Sequence, residues 1–172
     1  MAKQKVIVLP YEEAWPNEFE KIRSELTVAL PLIGLRFEHV GSTSVKGLAA
    51  KPIIDLDLIM DDGLFEQVKS KLLATGYLHE GDLGIPGREA FKYAEKPHLM
   101  KHNLYVCYES SQEWKRHITF RDWLRTHDAD RDWYGKTKAE AALLYPEDIY
   151  AYILYKTPCI LAIYQKCGLV SM

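Results

Sequence analysis

Residues 35–60 read LRFEHVGSTSVKGLAAKPIIDLDLIM, two apolar strands joined by a glycine-rich turn. The first runs from Leu35 to Val40 into Gly41-Ser42, and the second from Ile53 to Met60. In an extended strand Asp55 and Asp57 point to one face, with Cα atoms roughly 6.6 Å apart. Carboxylates flanked by Ile53, Ile54, Leu56 and Leu58 are costly in a core unless something neutralises them. A divalent cation does so, since Mg²⁺ takes one or two carboxylates and completes its shell with phosphate oxygens and water. Glycine in the turn lets a backbone N–H approach a phosphate closely. Together they point to a metal–phosphate site: Asp55 and Asp57 as metal ligands, Gly41 and Ser42 as the phosphate cradle. Each half alone has a plainer reading, a simple turn or a solvated strand face.

Outward from this stretch the chain divides in two. Trp15, Phe19, Ile22, Leu26 and Ala29 recur at helical spacing, with Pro16 suited to a first turn, which predicts a helix to about Leu30. Val6 to Leu9 reads as a short strand or an extended lead-in. Leu64 to Leu73 predicts a second helix closed by Gly76. Strands are expected at 77–80, 89–93 and 102–108, the first two bordering the loop GDLGIPGR. After residue 109 the pattern is wholly helical. Ser110 with Glu113 reads as a capping box, a further helix lies within 132–144, and Pro146 opens a last one toward Gly168 that Pro158 should kink or divide. One domain is expected over 1–172, a sheet-containing core to 109 and a helical part from 110. The class is α+β, a mixed sheet flanked by helices with a helical C-terminal third.

Composition narrows the function. At 172 residues, with 48% hydrophobic and 27% charged residues, this is an ordinary globular chain. A net charge of −2 argues against a nucleic-acid partner gripped by a whole-surface basic field. The first residues lack a cleavable leader pattern, and Lys156 breaks the longest apolar run, so neither a signal peptide nor a membrane span is expected. Cys107, Cys159 and Cys167 lack zinc spacing and suit a reducing, cytoplasmic setting.

Basic residues for a phosphorylated ligand are at hand. His117, Arg121 and Arg125 recur every four residues on one helix face, and such a stripe either meets phosphates or pairs with Glu113 and Asp122 on the outside. Lys51 flanks the motif loop. Lys156 interrupts an apolar helix, where a lysine snorkels or faces a cleft. Arg88 follows the flexible loop as a lid contact. His39 either braces the Gly-Ser turn or takes part in chemistry.

The run His39-Val40-Gly41-Ser42-Thr43-Ser44-Val45, with Gly47-Leu48-Ala49-Ala50-Lys51-Pro52-Ile53-Ile54-Asp55, resembles the hallmark of the GrpB family. The resemblance continues through His102-Asn103-Leu104-Tyr105-Val106, Arg116-His117 and Phe120-Arg121-Asp122 with Leu124-Arg125, and so covers most of the chain. It implies a nucleotidyltransferase-like fold, in a family that also occurs fused to dephospho-CoA kinases. In that fold two Asp residues hold Mg²⁺ against a nucleoside triphosphate, and a third carboxylate from a later strand helps activate the attacking hydroxyl. Asp55 and Asp57 match the pair. The third acid is missing, because the corresponding strand reads HNLYVCY. His102, or its neighbour Asn103, is the expected stand-in; Thr43 and Ser44 belong to the motif turn. The resulting expectation is a Mg-dependent nucleotidyltransferase acting on a small-molecule hydroxyl. The alternative is a non-catalytic domain that binds a nucleotide or phosphorylated metabolite in a CoA-related role. Substrate and oligomeric state are not legible from sequence.

Overall fold

The structure, a computed structural model, describes residues 4–169. The chain enters in extended form, with a single antiparallel bridge between Leu9 and Ala50. Helix α1 (Trp15–Ala29) has Pro16 in its first turn and buries Trp15, Phe19, Ile22 and Leu26, the stripe the spacing predicts. Strand β1 (Arg36–Val40) pairs antiparallel with β2 (Ile54–Met60), setting Val40 opposite Asp55 and Glu38 opposite Asp57. Helix α2 (Phe65–Ala74) then leads to β3 (Tyr77–Gly81), β4 (Arg88–Tyr93) and β5 (His102–Tyr108). The sheet order is β1-β2-β5-β4-β3; β5 runs parallel to β2 and the other neighbours are antiparallel. Helices α3 (Glu113–Thr126), α4 (Asp128–Leu144) and α5 (Ile149–Lys166) make the last third. This is the α+β mixed sheet with a helical flank expected from sequence.

The sheet's two faces differ because strand side chains alternate. Ile54, Leu56, Leu58 and Met60 point into the main core with α1 and α2, joined by Leu104 and Val106 of β5. Burying each such side chain contributes roughly 1.5–3 kcal/mol. The opposite face carries Asp55 and Asp57 toward the helical third. A second cluster there joins Val45 and Leu48 of the motif loop to Leu124, Tyr134, Cys159 and Ile163, so the helices are docked onto the turn.

Three local expectations fail for identifiable reasons. Ser110 does not cap α3: its backbone N–H and hydroxyl both bond Asp62, and the cap position falls to Gln112, with no side-chain hydrogen bond. Helix α4 begins a turn earlier than read, with Asp128 and Asp130 in its first turn, where carboxylates favour a helix start. Helix α5 opens on Asp148, whose carboxylate accepts from the Ala151 N–H at 3.0 Å, and it runs through Pro158 undivided. Pro158 is exposed, and so is Leu154, whose carbonyl loses its helical donor, so water can satisfy it.

Candidate functional site

The parallel register of β2 and β5 sets Asn103 beside Asp55 and Tyr105 beside Asp57. Asn103 Nδ2 donates to Asp55 Oδ1 at 2.9 Å. The other Asp55 oxygen lies over Gly41, whose φ of +71° is open to glycine and whose Cβ, were there one, would collide with Asp55 Oδ2. The Ser44 N–H closes the turn onto the Gly41 carbonyl at 3.1 Å. His39 braces it from the core side, bonding Thr43 Oγ1 at 2.9 Å and stacking on Phe19. Burial, with Arg125 and Arg121 nearby, pushes His39 down to about 4, so this imidazole is neutral support.

The two carboxylates do not share an environment. Asp55 is half-buried and faces a cleft, whereas Asp57 is 0% exposed. His117 Nδ1 donates to Asp57 Oδ2 at 2.7 Å, and His117 Nε2 lies 3.1 Å from Glu113 Oε1. Burial pulls the His117 imidazole down, but Asp57 and Glu113 overcome it and hold the ring at about 9. Burial likewise lifts Glu113, and His117 with Arg116 Nη2, which donates to both carboxylate oxygens, outweighs it, leaving the carboxyl at about 2. Asp57–His117–Glu113 is thus a buried ionic chain, and Asp57 Oδ1 at its end has no hydrogen-bond partner. The expected pair of cleft-facing metal ligands is therefore split. Asp55 keeps an oxygen toward the cleft, while Asp57 already holds an imidazolium. Among the described residues, no three His, Cys, Asp or Glu side chains are grouped to cage a metal.

The cleft has a volume of about 220 Å³ and is lined by Gly41, Ser42, Asp55 and Asn103 on one side and by α4 and α5 on the other. The helices contribute Lys138, from α4, and Lys156, from α5; Lys51 of the motif loop completes a set of three amines. Lys138 is 2% exposed, its Nζ has no hydrogen-bond partner, and it sits 4.3 Å from the Tyr134 ring centroid. Lys51 and Lys156 share the Tyr152 ring, at 5.6 and 4.8 Å. Burial, aided by Lys156, drives Lys138 well below the ordinary lysine range. Burial, with Lys51 beside it, lowers Lys156 to about 8. Lys51 is lowered too, by burial. Burial raises Asp55, against the lowering pull of the Asn103 hydrogen bond and the His117 charge. Lys51 and Lys156 both lower Lys138, and Lys51 lowers Lys156, so like charge crowds the inner end of the cleft around one acid. A multivalent anion would relieve that repulsion.

Several expected site residues lie elsewhere. His102, expected to stand in for the third acid, lies away from Asp55 and Asp57. One step along β5 from Asn103, its ring points to the opposite face, stacked on Tyr93 and bonded to the Tyr77 hydroxyl at 2.8 Å and the Met100 carbonyl at 2.9 Å. It supports the strand. Arg121 and Arg125 approach the turn from behind, not from the cleft. Arg121 donates to Glu38, Asp122 and the His39 carbonyl, and Arg125 makes two bonds to the Ser44 carbonyl. Their guanidinium donors are taken by backbone carbonyls and, for Arg121, by the Glu38 and Asp122 carboxylates. Arg88 is on β4 and stacks over Tyr105 at 4.2 Å rather than forming a lid. Lys138 escaped the sequence reading, whereas Glu113, expected as a cap and surface partner, is instead the buried partner of His117. The signal was there: Tyr134, Lys138 and Ala141, like Tyr152, Lys156, Cys159 and Ile163, fall on one helix face with buried neighbours.

A family model described as GrpB protein matches residues 5–166. The chain is 38% identical over 151 residues to a UPF0157 protein of Pseudomonas aeruginosa, covering 86% of this chain and 62% of that relative, so it spans only part of that protein's length. The crystal structure of conserved protein GrpB from Enterococcus faecalis aligns with TM-score 0.75 at 30% identity, over 92% of this chain and 99% of that one. The Cid1 poly(U) polymerase is a more distant likeness, TM-score 0.47 at 13% identity over 76% of this chain and 45% of that one. No helix among the described residues is long and apolar enough to cross a membrane.

Proposed function

This chain belongs to the GrpB family, and from its own residues we propose that it binds a phosphorylated small molecule, a nucleotide or phosphometabolite, in the cleft between the Gly41-Ser42 turn and α4–α5. The observation that carries this reading is the buried, unpartnered amine of Lys138, facing a cleft that two further lysines also line. A lysine so placed destabilises the empty protein, which makes sense where a ligand's negative charge completes it. Gly41 brings backbone close, Ser42 offers a hydroxyl, and Tyr134 and Tyr152 wall the amines from water. Asp55 is an acid beside an anion seat, and a cation shared with the ligand reconciles the two. Mg²⁺ carried in with the phosphates would be held by Asp55 and would neutralise phosphate charge there. Nucleotidyl transfer would further require Asp57, which His117 holds, so binding is the function the arrangement supports best.

Calorimetry with ATP, with and without Mg²⁺, tests this. ATP is expected to bind with Kd of about 10–100 µM, Mg²⁺ to tighten it, and Asp55→Asn to remove that increment while metal-free binding persists through the lysines. No ATP binding below about 1 mM overturns the nucleotide reading. An increment indifferent to Asp55→Asn removes the metal from it.

A further inference from the structure

The lysine cleft is one end of a longer surface. An open trough of about 740 Å³ runs along β4 and β5, and Asn103 lines both cavities. This volume is in the range of small-molecule sites. Ala90 and Tyr105, directly paired across β4 and β5, form a floor in which a methyl group sits beside a broad ring. Arg88 lies over that ring, and its Nε is buried with no hydrogen-bond partner. On the rim, Leu83 is 59% exposed and holds φ +52°, a left-handed conformation that a leucine rarely adopts. An apolar side chain kept in a strained backbone at the lip of a cavity is the kind of departure that accompanies ligand contact. Of the charges lining the trough, Lys92 pairs with Glu80 at 3.3 Å and Lys96 with Glu25 at 2.7 Å, while Lys101 and Glu95 form no ion pair among the described residues. At the end nearest Asp55 the surface turns polar, because Asn103 spends an amide hydrogen on Asp55 and keeps its carbonyl oxygen to accept.

We propose that this trough is a second binding seat, for a small uncharged molecule with a flat body and a hydroxyl. The flat body lies on Tyr105 and Ala90, and the hydroxyl reaches Asn103 beside the phosphate end of the lysine cleft. The proposal rests on the lysine-cleft reading only for what its neighbour holds. Two of the trough's three lysines are paired and the acid Glu95 offsets the third, Lys101, in sign, which disfavours a polyanionic strand that needs a run of uncompensated basic residues along its path.

Adenosine is a suitable probe, being flat, uncharged and hydroxylated. It would be titrated into ¹⁵N-labelled protein, alone and with saturating inorganic pyrophosphate, and followed by amide chemical shifts. The expected result is a Kd of about 1 mM, with shifts at 83–92 and 103–105, additive to those pyrophosphate produces at 41–44, 51 and 138. Tyr105→Leu should weaken adenosine about tenfold and leave pyrophosphate unchanged. Adenosine that fails to bind, or shifts only the lysine-cleft amides, overturns the second seat, and pyrophosphate binding then still stands on its own. Pyrophosphate that fails while adenosine shifts the trough removes the lysine-cleft reading instead. A short oligouridylate that shifts the trough amides more strongly than adenosine overturns the small-molecule assignment in favour of a strand.

Discussion

His117→Ala is expected to lower folding stability by about 3 kcal/mol, among the largest effects of any single change near the site. Asp57 is wholly buried, and one of its oxygens already lacks a partner. Removing the imidazolium leaves the other oxygen unpaired as well, and strands Glu113 beside Arg116 alone. Asp57→Asn in the same chain should restore part of the loss, since a neutral amide needs no countercharge; a double-mutant cycle should show coupling of about 1 kcal/mol or more. Urea unfolding measures both, and a His117→Ala loss within about 0.5 kcal/mol would contradict the ionic chain. The pH dependence has a definite sign. His117 is raised when folded, so its contribution is complete below an ordinary imidazole value, about 6.5, and is lost as pH rises through about 9. Glu113 is lowered when folded, so its contribution is present above an ordinary carboxyl value, about 4.3, and is lost as pH falls through about 2. Stability should therefore decline across pH 7–9 in the native protein and much less in His117→Ala.

Gly41→Ala should be comparably damaging for a different reason. Its backbone, φ +71° and ψ −175°, is nearly restricted to glycine, and an added Cβ drives into Asp55 Oδ2. The strain alone costs about 1–3 kcal/mol. Relief by swinging Asp55 away breaks its bond to Asn103 and reshapes the cleft. Stability is expected to fall by about 3 kcal/mol, and pyrophosphate binding by calorimetry should disappear. Native stability together with native binding would show that the turn does not need its close approach to Asp55.

Much of this architecture is legible in the chain. The period-two run at 54–60 and the helical stripe at 15–29 report burial directly, so the strands and α1 fall within a residue or two of expectation. The Gly-Ser turn and Asp55 are readable because glycine chemistry and a carboxylate in an apolar run are local signals. What local patterns hide is which neighbour arrives from elsewhere. Asp57 looks equivalent to Asp55 until α3 brings His117 onto it. His102 and Asn103 look interchangeable until the register of β5 sends one to each face. Arg121 and Arg125 share a helix face as read, and Arg121 does pair with Asp122, but Glu38 and the carbonyls of His39 and Ser44 come from a distant part of the chain that no helix spacing names. Lys138 sits among residues of strong helix propensity and reads as surface, although its Tyr134–Ala141 face was visible.

Lys138→Met asks whether a buried lysine in this cleft is kept for an anion. Methionine matches the lysine stem in volume and has no amine to bury, so the variant should be more stable than the native protein by about 1 kcal/mol or more. In the same preparation, calorimetry with inorganic pyrophosphate should show affinity at least about tenfold weaker, a loss of about 1.4 kcal/mol. A gain in stability with a loss of binding is the predicted result. Unchanged pyrophosphate affinity in a stable Lys138→Met protein would contradict the account.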